Sequence, residues 1–216
     1  DIRTPLSIVL GYASEIEDTV SLPEATRKQA GIIRRYSEKL KNLVADLNLT
    51  TKLEYSIQPL QKQKIDPVEL ARQVVSEVLN DGISELYELE LSEDTPGKNL
   101  SLVGDQALLS RMLNNLIRNC IVHNPDGCTI QVSVGSCDAM CTFSVADNGY
   151  GISEPQLNAL NSGKDISSTQ KQTGETEHGL GLKIVMQIVK AHQGIIQFAD
   201  TIPHGLSIHI SLPMKL

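Results

Sequence analysis

No run of this 216-residue sequence stays apolar for the roughly 20 residues that cross a bilayer, so it offers no candidate membrane helix. No leader with a basic start and an apolar middle opens it. An initiator Met is missing too, and Asp1-Ile2-Arg3-Thr4-Pro5 reads as the interior of something longer. Cysteine is scarce and poorly spaced for a metal. Cys120, Cys128, Cys137 and Cys141 form no C-x-x-C pair, and a zinc site would have to recruit His123 at irregular spacing. The simpler reading is reduced thiols acting as small apolar residues in a cytosolic protein. Excess positive charge is also lacking. Lys and Arg number 19 against 26 Asp and Glu, a net charge of -7, which argues against nucleic acid or an anionic membrane as the main partner. A phosphate-bearing ligand stays open, because backbone N–H groups alone can build a phosphate site. Two familiar phosphate signatures are absent: the G-x-G-x-x-G of dinucleotide folds and the Gly-Lys-Ser/Thr of a P-loop.

What the sequence does hold is enough apolar material for one large domain or two small ones, 40% hydrophobic against 21% charged. Its first 55 residues are patterned as helix. Ile2, Leu6, Val9, Ala13, Ile16 and Val20 recur at intervals of 4, 3, 4, 3 and 4, a heptad seam. Ser21-Leu22-Pro23-Glu24 breaks the pattern, with Pro23 suited to the first turn of a new helix. The second helix carries a matching seam at Ile33, Tyr36, Leu40, Leu43 and Leu47. Two seamed helices with a short connection predict an antiparallel hairpin. A hairpin buries little by itself, so pairing with a second copy into a four-helix bundle is expected over packing against the rest of the chain.

Residues 56–64 are polar and Gln-rich and read as a linker. Beyond them strands and helices mix. Helix is predicted over 67–79, with Asp66 as N-cap and Pro67 in its first position. A second, long amphipathic helix is expected over 105–123, where Leu108, Leu109, Met112, Leu113, Leu116 and Ile117 make one broad apolar face. Strands are expected at 87–91, 100–103, around Ile130, Val132 and Val134, around Cys141, Phe143 and Val145, and at 195–198 and 206–212. A further helix is expected over about 181–192. The Gly, Ser and Thr-rich stretch 161–177 is too long for an idle connection and reads as a mobile lid. The fold class is therefore α+β: a helical hairpin over 1–57, then a sandwich of strands with helices on one face over 58–216.

Three segments carry candidate chemistry. Asn115 and Asn119 are one turn apart on one face of the long helix, and their amide oxygens are hard ligands suited to Mg²⁺. An Asn pair on a solvated face would look the same. Asp147-Asn148-Gly149-Tyr150-Gly151 follows a strand; its carboxylate could accept from an exocyclic amine and its glycines allow a flat ligand close to the backbone. An ordinary Asx turn would also fit. Gly179-Leu180-Gly181-Leu182 opens a helix whose free N–H groups could take a polyphosphate, or it could be a plain hinge.

In this order and spacing, the three segments resemble the asparagine box and two glycine boxes of the ATP-binding fold shared by histidine kinases, gyrase, Hsp90 and MutL. Asp1-Ile2-Arg3-Thr4-Pro5-Leu6 resembles the phosphoacceptor box of histidine kinases, His-Asp/Glu-x-x-Thr/Asn-Pro-Leu, entered one residue late. Gly104-Asp105 and Leu212-Pro213 are similar to the family as well. The resemblance covers essentially the whole chain. It implies a sensor histidine kinase of a two-component system, working on ATP and Mg²⁺ as a homodimer on the cytoplasmic side of the membrane. Its partner would be a response-regulator receiver domain, and a phosphatase activity is implied too. By resemblance Asn119 is the Mg²⁺ ligand with Asn115 beside it, and Asp147 holds the adenine amine. Gly149 and Gly151 shape the adenine pocket, His123 lies near the base, and Gly179, Leu180, Gly181 and Leu182 cover the phosphates. Lys164 stands in for the usual cation of the lid. Asp1 is implied as general base and Thr4 as the residue that orients water for the phosphatase reaction.

The phosphoacceptor would precede Asp1. It would lie about 200° around the helix from Ile2 and so face solvent. Pro5 is expected to kink that helix. A fragment opening after the acceptor is expected to bind ATP and dimerise without labelling itself. Three departures stand out: Val122 where the family carries Lys or Arg, no visible phenylalanine box unless Leu157 and Leu160 serve, and Leu206 after Gly205. Two other readings remain open, an ATPase clamp of the same fold and a non-catalytic dimeric scaffold that binds a regulator.

Overall fold

A computed structural model describes residues 2–54, 59–93, 100–162 and 180–215. Contacts divide the chain into two units, Asp1–Tyr55 and Ser56–Leu216.

The first unit is a helical hairpin, α1 (Arg3–Asp18) and α2 (Glu24–Glu54). Small residues set its close approach. Ala13 and Ala30 are buried between the helices, and a Cβ on Gly31 would lie 2.8 Å from Glu17 Oε1. Glu17 then ties the two helices together. Its carboxylate accepts from Arg34 Nε at 2.6 Å and its backbone carbonyl from Arg27 Nε at 2.9 Å. The Arg34 hydrogen bond holds the Glu17 carboxyl below its usual range. Pro5 sits in the first turn of α1. The heptad seams serve the inside of the hairpin only in part. Ala13 is buried and Leu6 half-buried, whereas Ile2, Val9, Ile16, Val20, Ile33, Tyr36, Leu40, Leu43 and Leu47 are exposed on a single chain.

The second unit is a sandwich. A five-stranded sheet runs in the order β2 (Tyr87–Glu93), β4 (Cys128–Cys137), β5 (Met140–Asp147), β7 (Leu206–Pro213), β6 (Ile195–Asp200). The β2–β4 pair is parallel and the other pairs antiparallel. Period-two patterning puts Ile130, Val132, Val134, Phe143, Val145, Ile208 and Ile210 in the core. Three helices bury their apolar stripes there: α3 (Pro67–Asn80), α4 (Gln106–His123) and α6 (Leu180–Ala191). Leu109, Met112, Leu113, Leu116 and Ile117 of α4 are wholly buried, each stabilising the fold by about 1.5–3 kcal/mol. A shorter helix, α5 (Glu154–Asn161), starts on a Ser153–Gln156 capping box.

One expectation needs correction. Part of the supposed linker is a strand, β1 (Lys62–Ile65), paired antiparallel with β3 (Leu102–Asp105). Its burial pattern is exposed except for Ile65, so nothing apolar announces it. Its order comes from the backbone ladder and from Asp105, whose Oδ2 accepts from Gln61 N at 3.0 Å. The predicted caps hold: Asp66 accepts from Val68 N and Glu69 N, and Asp105 from Leu108 N.

His192, wholly buried, joins α6 to the start of α4. Its Nδ1 lies 2.8 Å from the Ile188 carbonyl, so Nδ1 carries the proton; its Nε2 accepts from Asp105 N–H at 3.0 Å. Both nitrogens are thus assigned in the neutral ring, and burial pushes the imidazole below its ordinary value. The folded state refuses a proton that the unfolded chain takes up near pH 6.5. The stability from this residue is therefore complete above that pH and lost as pH falls. Urea midpoints should drop between about pH 7 and pH 5.5, and more steeply in the wild type than in His192→Leu. Equal slopes would show that His192 is not the group responsible.

Candidate active site

The site candidates of the second unit gather on one flank of α4. Asn115 and Asn119 project toward the first turn of α6. Asn115 Nδ2 donates to the Gly181 carbonyl at 3.4 Å, and a Cβ on Gly181 would lie 3.5 Å from Asn119 Oδ1. Asn115 is thus engaged in holding α6, whereas the half-buried amide of Asn119 has no hydrogen-bond partner among the described residues. Leu180 and Leu182 are half-buried beside it, and His123 is exposed in the last turn of α4.

The other end is Asp147, the last residue of β5 and 7% exposed. It packs against α4 at Cys120, one residue from Asn119. Burial first, and then the Asp147 carboxylate, pushes the Cys120 thiol well up, and burial and Asp147 do the same to Cys128. Cys141 is pushed up to about 12 by burial alone. These three buried thiols keep their protons at neutral pH and act as apolar filling.

The turn after Asp147 is pinned on several sides. Gly149 N donates to Asp147 Oδ1 at 2.9 Å. Asn148 Oδ1 accepts from Thr129 N at 2.8 Å. His204 Nδ1 lies 2.8 Å from the Gly149 carbonyl, and Thr201 Oγ1 donates to the Asp147 carbonyl at 2.9 Å. Asn124, 2% exposed, joins the turn to α4: its Nδ2 donates to the Cys120 carbonyl at 2.8 Å and its Oδ1 accepts from Tyr150 N at 2.9 Å. The Tyr150 phenol bonds Asp126, whose carboxylate raises it above its usual value. The sequence singled out none of Asn124, Thr129, Thr201 and His204. Only Asn124 left a trace, as a polar residue closing an apolar helix directly before Pro125.

The two glycines of the turn have different reasons. Gly151 has φ +68°, a conformation that favours glycine. Gly149 is not in that region; a Cβ there would fall 1.8 Å from Asn124 Oδ1. Asp1, Lys164, Gly179 and most of the expected lid lie outside the described residues. Thr4 is exposed in the first turn of α1, in the other unit. Val122 is 53% exposed. A cavity of about 530 Å³ lies elsewhere, on the flank of α4 that carries Arg118, Ile121 and Val122. Its walls include Val78, Ile83 and Tyr87, and it contains none of the predicted site residues.

A buried carboxylate at a strand end, two amides one turn apart and the first turn of α6 all lie along one helix, α4. The profile described as Histidine kinase-, DNA gyrase B-, and HSP90-like ATPase matches residues 104–216. The His Kinase A (phospho-acceptor) domain matches residues 1–56. Sensor histidine kinase YvrG of Bacillus subtilis (strain 168) is 30% identical over 199 residues, 91% of this chain. The chain spans only about a third of that relative, 34% of its length. The crystal structure of full-length ShkA in complex with AMPPNP matches with a TM-score of 0.74 at 22% identity, over 98% of this chain and 43% of that one. Histidine kinase ThkA, solved in complex with response regulator protein TrrA, matches with a TM-score of 0.65 at 21% identity, over 99% of this chain and 58% of that one. At such identities the two structures show the fold. The chain belongs to the histidine kinase-, DNA gyrase B- and HSP90-like ATPase family, and its two matched domains in this order make it a two-component histidine kinase transmitter.

Proposed function

We propose that the second unit, residues 58–216, binds ATP with Mg²⁺ along α4, and that the γ-phosphoryl group goes to the histidine of the phosphoacceptor box ahead of Asp1. From there it passes to an aspartate of a response-regulator receiver domain. The observation that carries this reading is the position of both site ends on one helix. Asp147 against Cys120 receives the adenine amine, and Asn119 with Asn115 faces the first turn of α6.

The donor set fits Mg²⁺. Asn119 offers a hard amide oxygen with no protein partner among the described residues, next to a glycine that leaves the space open. Asn119, with the side-chain oxygen of Asn115, would hold the ion, which supplies charge neutralisation at the phosphates. The chain's own part is positioning. Asp147 accepts a hydrogen bond from the base, Gly149 and Gly151 give it a flat floor, and His123 stands at the end of α4 toward the base. Residues 179–182 cover the phosphates with backbone N–H groups, and Lys164 adds a cation there. Asp1 would take the imidazole proton of the acceptor, and Thr4 would orient water for phosphatase action on the regulator, which releases inorganic phosphate.

The hairpin, residues 1–57, forms the homodimer through its exposed seams, which a four-helix bundle would bury. Its base docks the regulator, as the complex of ThkA with TrrA suggests by analogy. The site of action is the cytoplasmic face of a membrane sensor, as the sensor kinases among the relatives suggest. No described helix is itself long and apolar enough to cross a membrane.

Titration calorimetry with ADP, run with Mg²⁺ and again with a chelator, tests the reading. Saturable binding that depends on Mg²⁺ is expected, together with a dimer mass by sedimentation. A dimer with no such binding would leave a non-catalytic scaffold as the better account.

A further inference from the structure

Asn124 joins the base end of the site to the helix bearing the phosphate end. It closes α4, donating back to the Cys120 carbonyl and accepting from the Tyr150 N–H. The turn that begins with Asp147 is therefore tied to the helix of Asn115 and Asn119 by a buried amide, which adds to the packing of Asp147 on Cys120. Both of its polar atoms are matched, and the length of the Asn side chain suits the two bonds. It reaches a carbonyl four residues behind it and an N–H across the turn. Its oxygen also occupies the volume a residue-149 side chain would need, since a Cβ there would lie 1.8 Å from Oδ1 and 2.1 Å from Cγ. Gly149 is glycine on account of this amide, not on account of its own backbone, which lies outside the left-handed region.

We propose that Asn124 is a positioning residue for nucleotide recognition: it fixes where the Asp147 carboxylate stands relative to the asparagines of α4, and with that the preference for an adenine base. The inference rests on the nucleotide reading above. A nucleotide of fixed length spans both ends at once, so a turn free to drift on α4 would meet the base and the phosphates in turn but not together. The hydrogen bonds of the turn to Thr129, Thr201 and His204 run to β4 and to the segment before β7, and none of these three reaches α4.

Calorimetry of Mg²⁺–ADP and Mg²⁺–GDP on four proteins tests it: wild type, Asn124→Ala, Gly149→Ala and the double variant. Asn124→Ala should bind ADP about tenfold more weakly, the worth of roughly one lost buried hydrogen bond, and its preference for ADP over GDP should narrow. Gly149→Ala should weaken ADP by a similar factor, because the new methyl displaces Oδ1. The double variant should bind no worse than Asn124→Ala, because the vacated amide volume accepts the methyl. Wild-type ADP affinity and base preference in Asn124→Ala, with only a lowered melting temperature, would overturn the proposal. If Asn124→Ala does not fold, Gly149→Ala decides, since alanine adopts its backbone freely: unaltered binding there overturns the proposal equally. A wild type that binds no nucleotide overturns the underlying reading, a separate result from wild-type binding that the variants leave untouched.

Discussion

Asn119→Ala should abolish Mg²⁺-dependent nucleotide binding while the protein stays folded. Two physical facts set the size of the effect. Loss of even an outer partner of a bound metal weakens it by about 10–100-fold, so loss of a direct ligand should reach at least the upper end of that range. The ligand is also not replaceable from nearby, because Asn115, whose oxygen would already be on the ion, is held in its place by its bond to the Gly181 carbonyl at 3.4 Å and cannot supply a second one. The fold has little to lose. Asn119 is half-buried with no hydrogen-bond partner among the described residues, and alanine is the better helix former. Circular dichroism and urea midpoints should match the wild type, while calorimetry with Mg²⁺–ADP gives no saturable heat. Arg118→Ala is the matching control. Arg118 lies one residue away, and its 3.5 Å pair with Asp81 is solvent-exposed, so binding should be unchanged. Full nucleotide affinity in Asn119→Ala would remove this residue from the site.

Much of this arrangement is legible in the sequence alone, and the parts that are not share a cause. The long helix can be read because its apolar face repeats at helical spacing and Asp105 caps it. The asparagines can be read because polar amides on such a helix stand out. β1 cannot, because Lys62, Gln63 and Lys64 are exposed and the strand is held by backbone bonds to β3, which leave no side-chain signature. The hairpin seams are legible as a pattern, but the pattern does not say which surface they serve. In the structure, Ala13 and Ala30 are buried and Gly31 lies close to Glu17, whereas most of the larger seam residues are exposed on a single chain. Asn124 is invisible for a further reason. Its meaning depends on Tyr150, a residue 26 positions away, and on the volume above Gly149. Sequence spacing can mark a residue that repeats with a helix, but not one that matters because of what the fold brings opposite it.

Gly205→Ala should be the most damaging single-methyl change in the second unit. Gly205 has φ +128°, a backbone conformation that alanine adopts only under strain. A Cβ there would also fall 2.0 Å from the Asp147 carbonyl oxygen and 2.3 Å from Thr201 Oγ1. Neither neighbour can yield easily. The Asp147 carbonyl is main chain at the end of β5, and Thr201 Oγ1 already donates to it at 2.9 Å. Backbone strain and overpacking each cost about 1–3 kcal/mol, so a loss of roughly 3–5 kcal/mol of stability is expected, read as a lower urea midpoint. Gly82→Ala separates the two contributions. Gly82 has φ +79°, and a Cβ there would meet nothing within 4 Å, so it carries the strain without the crowding and should cost only about 1–2 kcal/mol. The site gives a second reading of the same change. To make room, the Asp147 end of β5 must move away from residue 205, and the carboxylate moves with its own carbonyl. Nucleotide affinity should therefore fall in Gly205→Ala even at temperatures where the variant is fully folded, and stay at the wild-type level in Gly82→Ala. Equal losses of stability in the two variants would mean that the crowding against Asp147 is relieved at no cost. Intact affinity in folded Gly205→Ala would mean that the position of the Asp147 carboxylate does not govern binding.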